Sequence, residues 1–173
     1  PLVLAVPYKE EAIVLDMAMT QYSYGAMDLA QMKGRQLAVE AGFDPQGRLT
    51  RDPAGILKTK RPLSIGYWKG AGLSLLLDVL TLWLSGGSPV HAISARGAEY
   101  GLSQVFIAFG QSAAGAAWQE EIAKLIKDYQ SSLPADPAQP ISYPGERVLK
   151  TRRENQELGI PVLPEVWERI LSL

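Results

Sequence analysis

Few residues in this chain have the type and setting to do chemistry. The densest stretch is Trp68-Lys69-Gly70-Ala71-Gly72, which stands directly before Leu73–Leu84, an apolar run whose single charge is Asp78. A helix start carries unpaired N–H groups and partial positive charge, and so suits anions. Lys69 adds a full charge there, and Gly70 and Gly72 allow a ligand close to the backbone. The same pattern also fits a buried helix with a glycine-rich approach and a lysine reaching solvent. Asp16 closes an earlier apolar run, where a carboxylate serves as a helix cap or turn former, or as a functional acid at a strand end. His91, the single histidine, falls in a loop and reads as a surface residue. With no cysteine, disulfides, thiolate metal sites and cysteine nucleophiles are excluded.

The bulk properties narrow the class further. At 173 residues one domain with a real core is the default. A hydrophobic fraction of 47% and a charged fraction of 20% are ordinary for a soluble globular chain. The net charge of -1 gives no support to a nucleic-acid or membrane-surface partner. No signal peptide or transmembrane span is recognisable, which points to the cytoplasm. The chain opens in a strand, with no preceding turn, so upstream sequence is expected to be missing.

The elements that must position these residues follow from periodicity. Leu2–Val6 reads as a strand buried on both faces, paired as a hairpin with Ala12–Ala18 across Tyr8–Glu11. Ser23 caps a helix over Tyr24–Lys33, stopped by Gly34. Arg35–Lys60 is rich in turn residues and is expected to be a long irregular connection, of the kind that is usually functional. Leu73–Leu84, apolar all round, predicts a helix in the middle of the protein. Leu102–Phe109 alternates as a strand, and Ala114–Leu133 has a helical stripe of Trp118, Ile122, Leu125, Ile126, Tyr129 and Leu133 facing the core. Beyond a proline-rich connector, Ile141–Tyr143 is a short strand, Pro144–Arg147 a turn opening a helix to Leu158, and Pro164–Leu173 a last helix.

Standard motifs are mostly absent. Gly70-Ala71-Gly72 supplies only two glycines of a dinucleotide fingerprint, with no strand leading closely into it, which argues against a Rossmann domain. Lys69 precedes the glycines where a P-loop needs it after them, and there is no nucleophile elbow. Residue patterns alone therefore reach an α/β domain with an anion-friendly helix start.

Longer stretches carry a resemblance. Ile13–Ala18, Gly34–Leu37, Gly66–Leu73, Glu99–Gly101, Gln104–Ala108 and Pro144–Glu146, in that order, resemble the C-terminal half of the malate/L-lactate dehydrogenase family, the non-Rossmann NAD(P)-dependent 2-oxoacid reductases. The likeness covers essentially the whole chain, so residues 1–173 are expected to form a single cofactor-binding portion of a longer reductase. It implies an α/β fold with a large, mainly antiparallel or mixed sheet flanked by helices, and a homodimer. It places cofactor contacts on Ala12, Ile13, Val14, Leu15, Asp16, Met17 and Ala18, on Trp68 and Lys69, and on Gly145, Glu146 and Arg147. Gly145 fits the family pattern, whereas Glu146 and Arg147 differ in type from it. The implied cofactor is NAD, with NADH favoured over NADPH. The family's proton donor is a histidine with no counterpart here, which leaves Asp16 as the candidate acid that orients or tunes the site. The implied reaction moves a hydride between NAD(P)H and a small 2-oxo or 2,3-diketo acid. Malate-, L-lactate- or ureidoglycolate-type dehydrogenation is the nearest alternative, and a non-catalytic module binding an anion or a partner is the more distant one.

Overall fold

Lys9 and Glu10 join β1 (Leu2–Tyr8) to β2 (Glu11–Met17) in a two-stranded sheet, as the paired apolar runs predict. A two-residue link permits only an antiparallel pair. The computed structural model describes residues 1–110 and 117–173, and its contacts divide the chain into two units. The first comprises Pro1–Leu2 and Met17–Gly110. The second comprises Val3–Asp16 and Gln111–Leu173, described from residue 117 on.

The first unit packs around a small core. The helix α1 (Tyr24–Met32) starts as expected at Ser23, whose hydroxyl accepts the Ala26 N–H at 3.1 Å. The expectation of an irregular segment over Arg35–Lys60 is corrected. It holds the hairpin β3 (Gly42–Phe43) and β4 (Leu49–Thr50), then the helix α2 (Pro53–Thr59). Asp44 ties the hairpin turn by accepting the backbone N–H groups of Gln46 and Arg48, both at 2.9 Å. Asp52-Pro53 is a helix start, not only a turn. The Asp52 carboxylate accepts from Ala54 and Gly55, and Pro53 occupies the first helical position, where its missing N–H costs nothing. Met27, Leu37, Ala41 and Ile56 are buried together between α1, α2 and the hairpin.

From there the chain pairs back on itself. Met19 accepts the Ile65 N–H at 3.1 Å, and Leu63 accepts that of Gln21 at 2.8 Å. The helix α3 (Trp68–Ser85) follows and is stopped by Gly86 in the left-handed region. Its burial, predicted from its all-round apolarity, is overturned: Leu75, Leu76, Val79 and Trp83 are all more than half exposed. The described residues supply no element that covers this surface. His91 lies in the short helix α4 (Val90–Arg96), not in a loop, and is exposed.

Among the described residues the only sheets are β1–β2 and β3–β4, so the large sheet expected of the fold is not present here. Leu102–Phe109 and Ile141–Tyr143, predicted as strands, form none, because neither finds a neighbouring strand to complete a ladder. Nor is β1 buried on both faces, since Val3, Leu4 and Val6 remain about half exposed.

The second unit is built on the β1–β2 hairpin. The helix α5 (Ala117–Gln130) lies within the predicted span, whose residues 114–116 fall outside the described set. Ile126 is buried as expected, but Leu125, Tyr129 and Leu133 are exposed, so the core-facing stripe is corrected to a narrower one. The helix α6 (Glu146–Leu158) opens at the predicted turn and ends before Gly159, and α7 (Pro164–Leu171) closes the chain. No described helix is long and apolar enough to cross a membrane.

Candidate functional site

Two of the three predicted cofactor segments meet in the second unit. The Val14 N–H of β2 donates to the Pro144 carbonyl at 3.1 Å, which seats the turn before α6 against the strand. Gly145 adopts φ +91, a conformation side chains avoid. A Cβ there would also lie 3.1 Å from the Val14 nitrogen and 3.2 Å from its oxygen. Glycine at 145 is thus required both by the turn and by the close approach of strand backbone. The edge-on pair Tyr8–Tyr143, with centroids 6.4 Å apart, and the Lys9 N–H bond to Gln119 Oε1 hold the same hairpin in place.

This docking forms a cavity of about 260 Å³ lined by Leu15, Tyr129, Ser142, Tyr143, Gly145 and Arg147, with Pro144 and Val148 completing the wall. A larger open cavity of about 780 Å³ continues along α6 past Arg147 to Thr151, Asn155 and Ile160. The walls combine apolar and aromatic surface with the hydroxyls of Ser142 and Thr151 and the guanidiniums of Arg147 and Arg152, a donor set suited to a nucleotide's ring, ribose and phosphate. Glu146 has a different part. Gln130 Nε2 donates to both of its carboxylate oxygens, at 3.1 and 3.3 Å, and the Tyr143 N–H donates to one of them at 3.3 Å. The Glu146 side chain therefore holds the turn to α5.

The third segment lies in the first unit. Trp68 and Lys69 are not carried on a loop ahead of the helix, as expected. They form its first turn, and both are exposed. Part of the predicted anion-binding character is already used, because the Lys69 N–H donates to Gly66 O and the Ala71 N–H to Tyr67 O. The two glycines also differ. A Cβ at Gly70 would collide with the Ile65 carbonyl oxygen, whereas nothing lies near Gly72. Gly70 is thus demanded by its own backbone. Met17 and Ala18 belong to this unit, and the Met19–Gln21 pairing with Leu63–Ile65 strings that end of β2 to the stretch leading into Trp68.

Asp16 sits in β2, exposed, and does not cap a helix, since α1 takes Ser23 for that purpose. The described residues hold no group of His, Asp or Glu able to bind a metal ion. Sequence reasoning missed Tyr129 and Ser142 as cavity residues. Tyr129 falls at core spacing on α5, and only its half exposure reveals it as a wall residue.

The malate/L-lactate dehydrogenase family profile matches residues 1–171. The chain belongs to this family. It is 40% identical to the 2,3-diketo-L-gulonate reductase of Pasteurella multocida over 176 aligned residues, and 38% identical to that of Haemophilus influenzae. Each alignment covers all of this chain and 53% of the relative, so the chain spans about half the length of the curated relatives it matches. The fold is shared with the malate dehydrogenase of Entamoeba histolytica, at a TM-score of 0.78 and 12% identity over 98% of this chain and 52% of that one. A putative malate/lactate dehydrogenase from E. coli gives 0.70 at 22% identity over 98% and 49%.

Proposed function

We propose that the protein of which this chain forms part is a nicotinamide-dinucleotide-dependent oxidoreductase of 2-oxo acids, with 2,3-diketo-L-gulonate as its substrate. Family membership supports the reaction class, and relatives near 40% identity that bear the name 2,3-diketo-L-gulonate reductase support the substrate. The observation that carries the reading is the docking of the Pro144–Arg147 turn on β2, which brings family cofactor positions from opposite ends of the sequence around one cavity.

In this reading the chain holds the cofactor. Ala12–Ala18 border it along β2, Gly145 seats the turn against that strand, Arg147 stands exposed at the same turn, and the family likeness gives Lys69 as an exposed cation for its phosphates. Trp68 offers a flat apolar face. The bound dinucleotide supplies the hydride. Protonation of the substrate oxygen calls for a general acid, which the family likeness assigns to a histidine without counterpart here, leaving Asp16 to orient or tune the site. The working form is a cytoplasmic homodimer, in which a second copy covers exposed apolar surface.

The test is a panel of 2,3-diketo-L-gulonate, pyruvate, oxaloacetate and related 2-oxo acids assayed on the full-length protein with NADH and NADPH. Fastest turnover of the diketo acid is the expected result. A preference for oxaloacetate or pyruvate moves the assignment to a malate or lactate dehydrogenase. A protein that neither binds a dinucleotide nor turns over any oxo acid defeats the reading.

A further inference from the structure

The two charged side chains that open α6 are in opposite situations. The Glu146 carboxylate is committed on both oxygens, to the Gln130 amide and the Tyr143 N–H. Arg147 is exposed, lines both cavities on this face, and forms no ion pair among the described residues. Of the other basic side chains on α6, Lys150 lies 3.8 Å from Glu154, Arg152 stands 4.0 Å from Glu11, and the exposed Arg153 lines neither cavity. Arg147 is also the one cation on the wall of the smaller cavity, whose lining includes the half-exposed Tyr129 and Ser142.

NADH and NADPH differ only at the 2′ position of the adenosine ribose, a hydroxyl in one and a phosphate in the other. A free carboxylate accepting from the hydroxyl selects the first, and a guanidinium facing the phosphate selects the second. At this turn the carboxylate is spent on the protein's own backbone and amide, while the guanidinium is free. We infer that Arg147 receives the 2′-phosphate of NADPH, so that the enzyme prefers NADPH, against the family expectation of NADH. The inference rests on the dinucleotide reading above. It makes Arg147 a specificity residue for the adenosine end of the cofactor, with Tyr129 beside it to meet the adenine.

The experiment titrates the full-length protein with NADPH and with NADH, and competes each with 2′,5′-ADP and 5′-ADP. NADPH is expected to bind about tenfold or more tightly than NADH, with 2′,5′-ADP the better competitor, as for a charge-assisted phosphate contact. Arg147→Ala is expected to weaken NADPH about tenfold to a hundredfold, to leave NADH within about twofold, and to leave the melting temperature unchanged. Arg147→Lys retains part of the preference, because a point charge replaces the planar fork. Equal or tighter binding of NADH by the unaltered protein overturns the inference, as does an Arg147→Ala variant that weakens both dinucleotides alike. Binding of neither dinucleotide overturns it together with the cofactor reading, and so separates the two failures.

Discussion

The segment from Gln21 to Arg61 is rich in charge and the helix α3 that follows it is almost wholly apolar, yet it is the first that buries its apolar side chains. In the first, short elements close on one another until Met27 and Ile56 lose all contact with solvent. In the second, Leu76 is 66% and Trp83 78% exposed. Hydrophobicity alone does not bury a residue. A stripe facing a neighbour does, and α3, apolar on every side, asks for more neighbours than the described residues provide. The exposed apolar side chains of α3 offer the homodimer proposed above a surface to cover.

The contrast can be broken by substitution in the 173-residue chain. Ile56→Ala empties a fully enclosed site and is expected to cost about 2–5 kcal/mol in a denaturant titration. Leu76→Ala, the same kind of truncation on α3, should cost less than about 1 kcal/mol, because a side chain already in water has little burial to lose. If the two costs are alike in this chain, α3 is covered and the comparison fails. In the full-length protein a large rise in the Leu76→Ala cost would sharpen it, by showing that further polypeptide or a second copy seals the helix.

A smaller effect separates the two glycines at the start of α3. Gly70→Ala must displace the Ile65 carbonyl and is expected to cost about 1–3 kcal/mol, as overpacking does. Gly72→Ala meets open space within a helix and should stabilise by about 0.5–1 kcal/mol. Thermal melting of the two variants gives opposite shifts if the helix start is a structural device. A ligand pressed against Gly72 would instead show as lost dinucleotide binding in that variant.

What the sequence revealed and what it hid divide along the same line. Local signals read well: the Ser23 cap, the hairpin across Lys9–Glu10, the turn at Pro144–Arg147 and the helix end at Leu158 are each decided by a few adjacent residues. The candidate site was legible only through family likeness, since nothing local in Ile13–Ala18 says that a turn more than a hundred residues later will dock on it. Arg35–Lys60 was misread as irregular because a dipeptide such as Asp52-Pro53 both starts turns and caps helices, and the outcome depends on whether Ile56 finds a core with Met27 to join. The predicted strands over Leu102–Phe109 and Ile141–Tyr143 had the right pattern but no partner strand among the described residues, Leu102 making only an isolated bridge to Ser88. A strand is a property of a pair, and single-chain alternation cannot supply the second member.

The least of the expected effects lies at the turn that holds the buried segment together. Asp44 sits between β3 and β4, and its carboxyl is held below its ordinary value of 3.8, first by the Arg48 backbone N–H and then by the Arg48 side chain, with burial opposing. The guanidinium closes on the same carboxylate at 2.9 Å. A carboxylate whose folded value is depressed stabilises the fold fully above its unfolded value, and loses that contribution as pH falls through the folded one. Asp44→Asn should therefore lower the melting temperature near neutral pH, and the gap between variant and parent should close below about pH 3.8. Arg48→Ala should show a weaker version of the same trend, because the backbone donors at residues 46 and 48 remain. Melting curves of the three proteins at pH 7 and pH 3 decide the matter. A gap that persists undiminished in acid would mean that Asp44 holds the hairpin through its two acceptor oxygens and not its charge, since asparagine keeps the size but only one of those oxygens.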